Sequence, residues 1–179
     1  NLKVSPFIEP VPRYEAWGYK FEDFVKDFPE NPIRHFPAKV RAAFVDLVLS
    51  GLFTGRAATG GDLLRASTHK PYLHQIQMLK RGIANGTPGI VTSGTGSGKT
   101  ESFMLPVLAA IVREAVNWPQ PPAKHIDDSW WQTDGAPFVH RRAGEASARP
   151  KAVRALILYP LNALVEDQIT RLRRTLDSD

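Results

Sequence analysis

Apolar residues recur along this chain with more than one period, and the places where the period changes divide it into elements. Val40, Ala43, Phe44, Leu47 and Val48 fall on one side of a helix predicted to begin after Pro37 and to stop at Gly51. Tyr72, Leu73, Ile76 and Leu79 keep helical spacing over 71–81, closing at Gly82 before a polar turn, Asn85-Gly86-Thr87-Pro88. A long helix is predicted over 99–117, carrying Phe103, Met104, Leu105, Val107, Leu108, Ile111 and Val112, bent near its start by Pro106 and ended by Trp118-Pro119. Val153 to Tyr159 breaks the rhythm: it is the near-continuous apolar run expected of a strand buried on both faces of a parallel sheet. After Pro160, residues 161–176 read as an amphipathic helix with Leu164, Val165, Ile169 and Leu172 inward and Glu166, Asp167, Arg171 and Arg174 outward.

The order helix, strand, loop, helix, insertion, strand, helix predicts an α/β fold, the βαβα half of a doubly wound parallel sheet with flanking helices. Residues 1–66 stand apart as an extension. Its first part mixes Pro6, Pro10, Pro12, Pro29, Pro32 and Pro37 with Phe7, Tyr14, Trp17, Tyr19, Phe21, Phe24 and Phe28. Such an aromatic load argues against disorder and for packing onto a neighbouring domain, with a short helix over 21–28, although aromatics also stack on bases. The glycine-rich GRAATGG stretch within 54–61 marks a turn-rich boundary, and the α/β unit is expected over 67–179. Residues 119–150 show no sustained period and read as a surface insertion; its Trp130-Trp131 and Arg141-Arg142 pairs suit either loop anchoring or nucleic-acid contact.

Composition changes this picture little. The chain has 179 residues, 42% of them hydrophobic, and no apolar run approaches membrane-spanning length, so a cytoplasmic protein without membrane contact is expected. With no cysteine, disulfides and thiolate metal sites are excluded within this stretch. A formal charge of +5 is compatible with a polyanionic partner but too small to argue for one. Asn1 at the start, and a C-terminus directly behind a helical pattern, suggest a segment of a longer chain.

The chemistry concentrates in Gly89 to Thr100, GIVTSGTGSGKT, where a short apolar strand runs into a glycine-rich turn and then into Lys99-Thr100. Gly94, Gly96 and Gly98 lack Cβ atoms, so consecutive backbone N–H groups can curl around a polyphosphate. Lys99 would reach the β/γ-phosphates, Thr100 would offer its hydroxyl to Mg²⁺, and the helix opened there points its positive end at the anion. ATP or GTP is the implied ligand. The general fingerprint expects glycine where this chain has Ser93. A glycine/serine linker would not be set between a strand and an apolar helix.

Three separated features, His74-Gln75, SGTGSGKTES from Ser93 to Ser102 with Leu105-Pro106 behind it, and ALILYPLNALVEDQ from Ala155 to Gln168, together resemble the first RecA-like domain of superfamily 2 helicases. The resemblance implies ATP and Mg²⁺ as cofactors, with Gln75 reading the adenine edge. Ser93, Gly94, Thr95, Gly96, Ser97, Gly98, Lys99, Thr100 and Glu101 would form the nucleotide loop, Lys99 and Thr100 serving catalysis and Thr100 the metal. It further implies that Pro160, Leu161, Asn162 and Ala163 touch the phosphates of DNA, single-stranded or duplex with a single-stranded tail; free N–H groups at a helix start suit that contact. The wording is closest to MrfA-type helicases and to the DISARM and Druantia antiphage helicases, so a defence complex with partner subunits is implied. The family's acidic Mg²⁺ motif and second lobe have no candidate here. The expectation is therefore a helicase-type ATP hydrolase whose other lobes lie in the same polypeptide, the segment alone being inactive. A phosphate-loop kinase or switch GTPase, a catalytically idle subunit that binds nucleic acid or a protein, and an RNA rather than DNA track remain open as alternatives.

Overall fold

The computed structural model describes residues 13–53, 70–84, 88–94, 96–119, 134–135, 152–159 and 162–176. A 3-10 helix, Phe21–Val25, leads into α1, Ala38–Leu47, which continues as a wider π-type turn, Val48–Leu52. Then come α2, Leu73–Ile83, α3, Lys99–Ala115, and α4, Asn162–Leu176. Each lies within a few residues of the helix expected from the sequence, the first stopping at Val25 rather than at Phe28.

One apolar core runs from the extension into α3. Phe21, Phe24, Ile33, Phe44 and Val48 from the N-terminal part are fully buried together with Ile76 and Leu79 of α2 and Leu105, Leu108 and Ala109 of α3. Trp17, Phe21, Phe24 and Phe28 of the extension therefore pack rather than lie free: Trp17 meets Phe24 edge-on at 5.1 Å and Phe24 stacks on Phe44 at 6.3 Å. Buried Asn31 holds the bend after the 3-10 helix by donating to the carbonyls of Phe24 and Lys26 while accepting from Ile33 N–H. Its polar groups are satisfied inside an apolar shell, the condition under which a buried amide costs little.

Gly82 lets α2 and α3 approach closely. A Cβ there would sit 2.2 Å from Cβ of Pro106, a rigid ring that cannot swing aside. Pro106 is accommodated inside α3, and the absence of its N–H removes only one helical bond. At the far end of α3, Lys39 of α1 donates to the carbonyl of Val116, which is where a cation best offsets the helix dipole.

The expected parallel sheet is not formed among the described residues. Residues 88–94 and 152–159 are not helical, yet neither has a ladder partner; the β-bridge that is present joins Ala16 to Tyr72, antiparallel. Val153, Leu156 and Leu158 are 87%, 79% and 81% exposed, and Ile90 is 89% exposed, so the predicted burial on both faces fails here. The physical reason is that a strand's burial belongs to its neighbours: without flanking strands and covering helices the same apolar run faces solvent.

The inward face of α4 also differs from the pattern read in the sequence. Ile169 is 41% exposed, while Gln168 and Thr175 are buried and Leu172 packs against the core. The helix is rotated because it rests on the Val48–Leu52 turn. Ser50 donates to the carbonyl of Thr175, and Gly51 leaves no room for a side chain against Thr175. The turn-rich boundary over 54–61 and most of the 119–150 insertion, including its Trp and Arg pairs, lie outside the described residues.

Candidate functional site

The glycine-rich loop ahead of α3 turns on two glycines. Gly96 and Gly98 have φ of 72° and 75°, the left-handed region that L side chains rarely occupy. Gly98 is doubly required, since a Cβ there would stand 2.3 Å from Nε2 of Gln75. It ends the loop and caps α3, whose first turn leaves amide donors pointing out of the helix end.

The side chains around the loop hold it against itself. Lys99 Nζ donates to the carbonyls of Ser93 at 2.8 Å and Gly94 at 2.5 Å. Ser93 and Ser97 hydroxyls bond at 2.6 Å, and Ser102 Oγ donates to the carbonyl of Gly98 at 3.0 Å. His74 Nε2 lies 3.0 Å from the carbonyl of Ser97, a bond that needs the Nε2–H tautomer or the imidazolium. The loop's carbonyls thus occupy the cation that a polyphosphate would otherwise engage.

Gln75 braces this arrangement. Its side-chain amide is almost fully buried; Oε1 accepts from the N–H of Tyr72 at 2.8 Å and Nε2 donates to the carbonyl of Gly98 at 3.2 Å. One side chain therefore ties the start of α2 to the start of α3. Any contact of Gln75 with a base edge uses the remaining lone pair and N–H of this amide.

Sequence reasoning missed Tyr14 and the partner of Glu101. Tyr14 arrives because residues 15–17 pair with 71–73: Trp17 N–H donates to Pro71 and Leu73 N–H to Glu15. Its hydroxyl accepts from the N–H of Gly94 at 2.9 Å, while its ring lies 5.6 Å from both Tyr72 and His74. An aromatic 80 positions upstream of the loop gives no local signal for this contact. Glu101, next to Thr100 in the first turn of α3, forms an ion pair with Arg171 of α4. Tyr159, at the end of the extended run, has a buried hydroxyl without a hydrogen-bond partner among the described residues, and burial holds its pKa above the ordinary tyrosine value.

Gln75, Gly96, Lys99, Thr100, Glu101 and Arg171, with Lys70, line a cleft of about 440 Å³, within the usual range for small-molecule sites. A larger cleft of about 750 Å³ between Gly82, Pro106, Ile111 and Arg154 lacks loop residues, and there the guanidinium of Arg154 is held by the carboxylate of Glu114. In the smaller cleft the left-handed glycines, the open end of α3 and the ammonium of Lys99 fit an anionic nucleotide tail. The Thr100 hydroxyl suits a hard cation shared with phosphate oxygens. Groups of three His, Cys, Asp or Glu able to hold a metal by themselves are absent among the described residues.

Thr95, Pro160 and Leu161 lie outside the described residues. Asn162 and Ala163 open α4, with their side chains outside the described set. The structure thus brings Gln75, Ser93, Gly94, Gly96, Ser97, Gly98, Lys99, Thr100 and Glu101 together, with α4 joined to them through Arg171.

The chain is 30% identical over 175 residues to the Druantia protein DruE of Escherichia coli (strain UMEA 4076-1), a match that includes the extension and covers 97% of this chain but 7% of that protein. No solved structure matches the chain. No helix among the described residues is long and apolar enough to cross a membrane. The DEAD/DEAH box helicase profile covers residues 72–178, from the start of α2 through α4, and the chain belongs to that family, whose fold is the RecA-like α/β type.

Proposed function

We propose that this chain is the nucleotide-binding opening of an ATP-driven DNA helicase or translocase, working in the cytoplasm as part of a longer polypeptide and serving antiphage defence. The observation that carries the reading is the placement of Lys99 and Thr100 at the open end of α3, directly behind two left-handed glycines, in a chain of the DEAD/DEAH box helicase family. The similarity to a Druantia protein supports the Druantia side of the antiphage resemblance more than DISARM.

In this reading the amides from Gly94 to Thr100 cradle the phosphates, Lys99 leaves the carbonyls of Ser93 and Gly94 to neutralise them, and Thr100 holds Mg²⁺. Bound ATP supplies the free energy of γ-phosphate cleavage. Release of the Tyr14 hydroxyl from the Gly94 amide accompanies binding, so the extension senses occupancy of the loop. Gln75 keeps the loop in register and reads the adenine edge with its spare amide group. Residues Pro160, Leu161, Asn162 and Ala163 touch the nucleic-acid backbone, and the acidic Mg²⁺ motif and second lobe come from elsewhere in the polypeptide.

The test is ATP hydrolysis by the whole protein with and without single-stranded DNA, duplex DNA and RNA, beside Lys99→Ala. Stimulation by DNA that disappears in the variant is expected, with a loss of at least about 100-fold, as for removal of a principal charge-stabilising group. Stimulation by RNA alone changes the track. Turnover unchanged in Lys99→Ala overturns the assignment, and nucleotide binding without stimulated turnover points to an idle subunit.

A further inference from the structure

The ion pair between Glu101 and Arg171 is not part of the loop chemistry described above, and its position is unusual for a structural pair. Both groups line the phosphate cleft, side by side with Lys99 and Thr100. Their side chains are only 15% and 30% exposed, so their attraction is less screened than at a surface. They also bridge different elements: Glu101 belongs to the first turn of α3, Arg171 to α4.

We infer that Arg171 is a positioning residue that couples nucleotide occupancy of the loop to the orientation of α4, and through it to the grip of the Asn162 turn on nucleic acid. The inference rests on the motor reading given above. A polyphosphate arriving beside Lys99 brings several negative charges next to this pair. They repel Glu101 and attract Arg171, so the pair that is best in the empty cleft is not the best arrangement in the filled one. The seam offers an alternative partner. The Tyr159 hydroxyl is buried and, among the described residues, unpartnered, and its ring lies 6.4 Å from that of Phe103 in the same turn of α3 as Glu101, so this seam holds a spare donor.

The geometry of α4 makes a pull at Arg171 count. Asn162 and Arg171 lie on one unbroken helix, about 13 Å apart at 1.5 Å per residue. The C-terminal half of α4 rests on the Val48–Leu52 turn through Thr175, with Ser50 and Gly51 beneath it, which supplies a pivot. A shift at Arg171 near that pivot therefore moves the far end, where the nucleic-acid contacts are proposed. Two groups that each ligand biases differently are the physical requirement for coupling.

The experiment measures two affinities in the whole protein: that of a fluorescent ATP analogue with and without saturating single-stranded DNA, duplex DNA or RNA, and that of a labelled oligonucleotide with and without nucleotide. The readout is the ratio within each variant, so a change in basal affinity or in the folded fraction cancels. In the unaltered protein a ratio of about 5 to 150 is expected, reciprocal between the two ligands. In Arg171→Gln it should fall to within about twofold of unity, Arg171→Lys should restore part of it, and Glu101→Gln with Arg171→Gln together should lose no more than Arg171→Gln alone. A ratio that persists in Arg171→Gln overturns this inference and leaves the motor reading standing. An unaltered protein with no ratio for any polymer overturns both.

Discussion

Single residues decide the loop, and they differ in why they are needed. Gly96 and Gly98 share the left-handed backbone, but a Cβ on Gly96 meets open space whereas one on Gly98 strikes Gln75. Gly96→Ala should therefore cost only backbone strain, about 1–2 kcal/mol. Gly98→Ala adds displacement of the Gln75 brace and should weaken nucleotide binding at least about tenfold more, by titration with a fluorescent nucleotide; equal losses would mean that the brace carries nothing. The turn that Gly96 and Gly98 make ahead of Lys99 was legible in the sequence because its backbone requirement is local. Tyr14 was not, because its contact with Gly94 is made by chain pairing between residues 15–17 and 71–73.

Among elements, the contact of α2 with α3 hinges on Gly82. In an isolated helix Gly82→Ala would gain about 1 kcal/mol of propensity, yet here the added methyl meets Pro106 at 2.2 Å. We expect a net destabilisation of about 1–3 kcal/mol, read as a lower Tm, the overpacking cost outweighing the propensity gain; a raised Tm would show that α2 slides away freely. The 3-10 helix carries a pH signature. Asp23 accepts from Lys26 Nζ and from the N–H of Lys20, with Lys26 the larger influence, and these hold its carboxyl below the usual aspartate range. A carboxyl depressed on folding stabilises the fold above its unfolded value, about 3.9, and that contribution is lost as pH falls from there through the folded value. Thermal unfolding followed from pH 6 to pH 3 should show this loss, and Asp23→Asn should flatten it. Helix positions were well read from the sequence, since a 3.6-residue period is written into the chain. The face that α4 buries was not, because Gln168 and Thr175 are chosen over Ile169 by the turn beneath them.

For the whole molecule, burial stops where the chain's partners stop. A core shared by the extension, α2 and α3 is complete enough to enclose Phe21, Phe24, Phe44 and Leu108, whereas Ile90, Val153, Leu156 and Leu158 stand in water. Unpaired apolar segments of this kind are templates for association. The 179-residue chain on its own should therefore self-associate with concentration in sedimentation experiments, and Leu156→Lys with Leu158→Lys should suppress this. A monodisperse monomer at high concentration would show that these segments are not open sheet edges. The chain spans 7% of its Druantia relative.

The sequence by itself determined the helices, because a 3.6-residue period is local, and the left-handed glycines ahead of Lys99-Thr100, because that backbone demand is local too, while the family was legible through the resemblance of three separated motifs. Only the tertiary structure decided that Tyr14 sits on the Gly94 amide, that Gln75 braces the loop, that Glu101 pairs with Arg171, and which face α4 buries. Those contacts join residues 23 to 125 positions apart. Their formation depends on packing of elements against one another, a free energy that no local pattern of apolar and polar residues encodes.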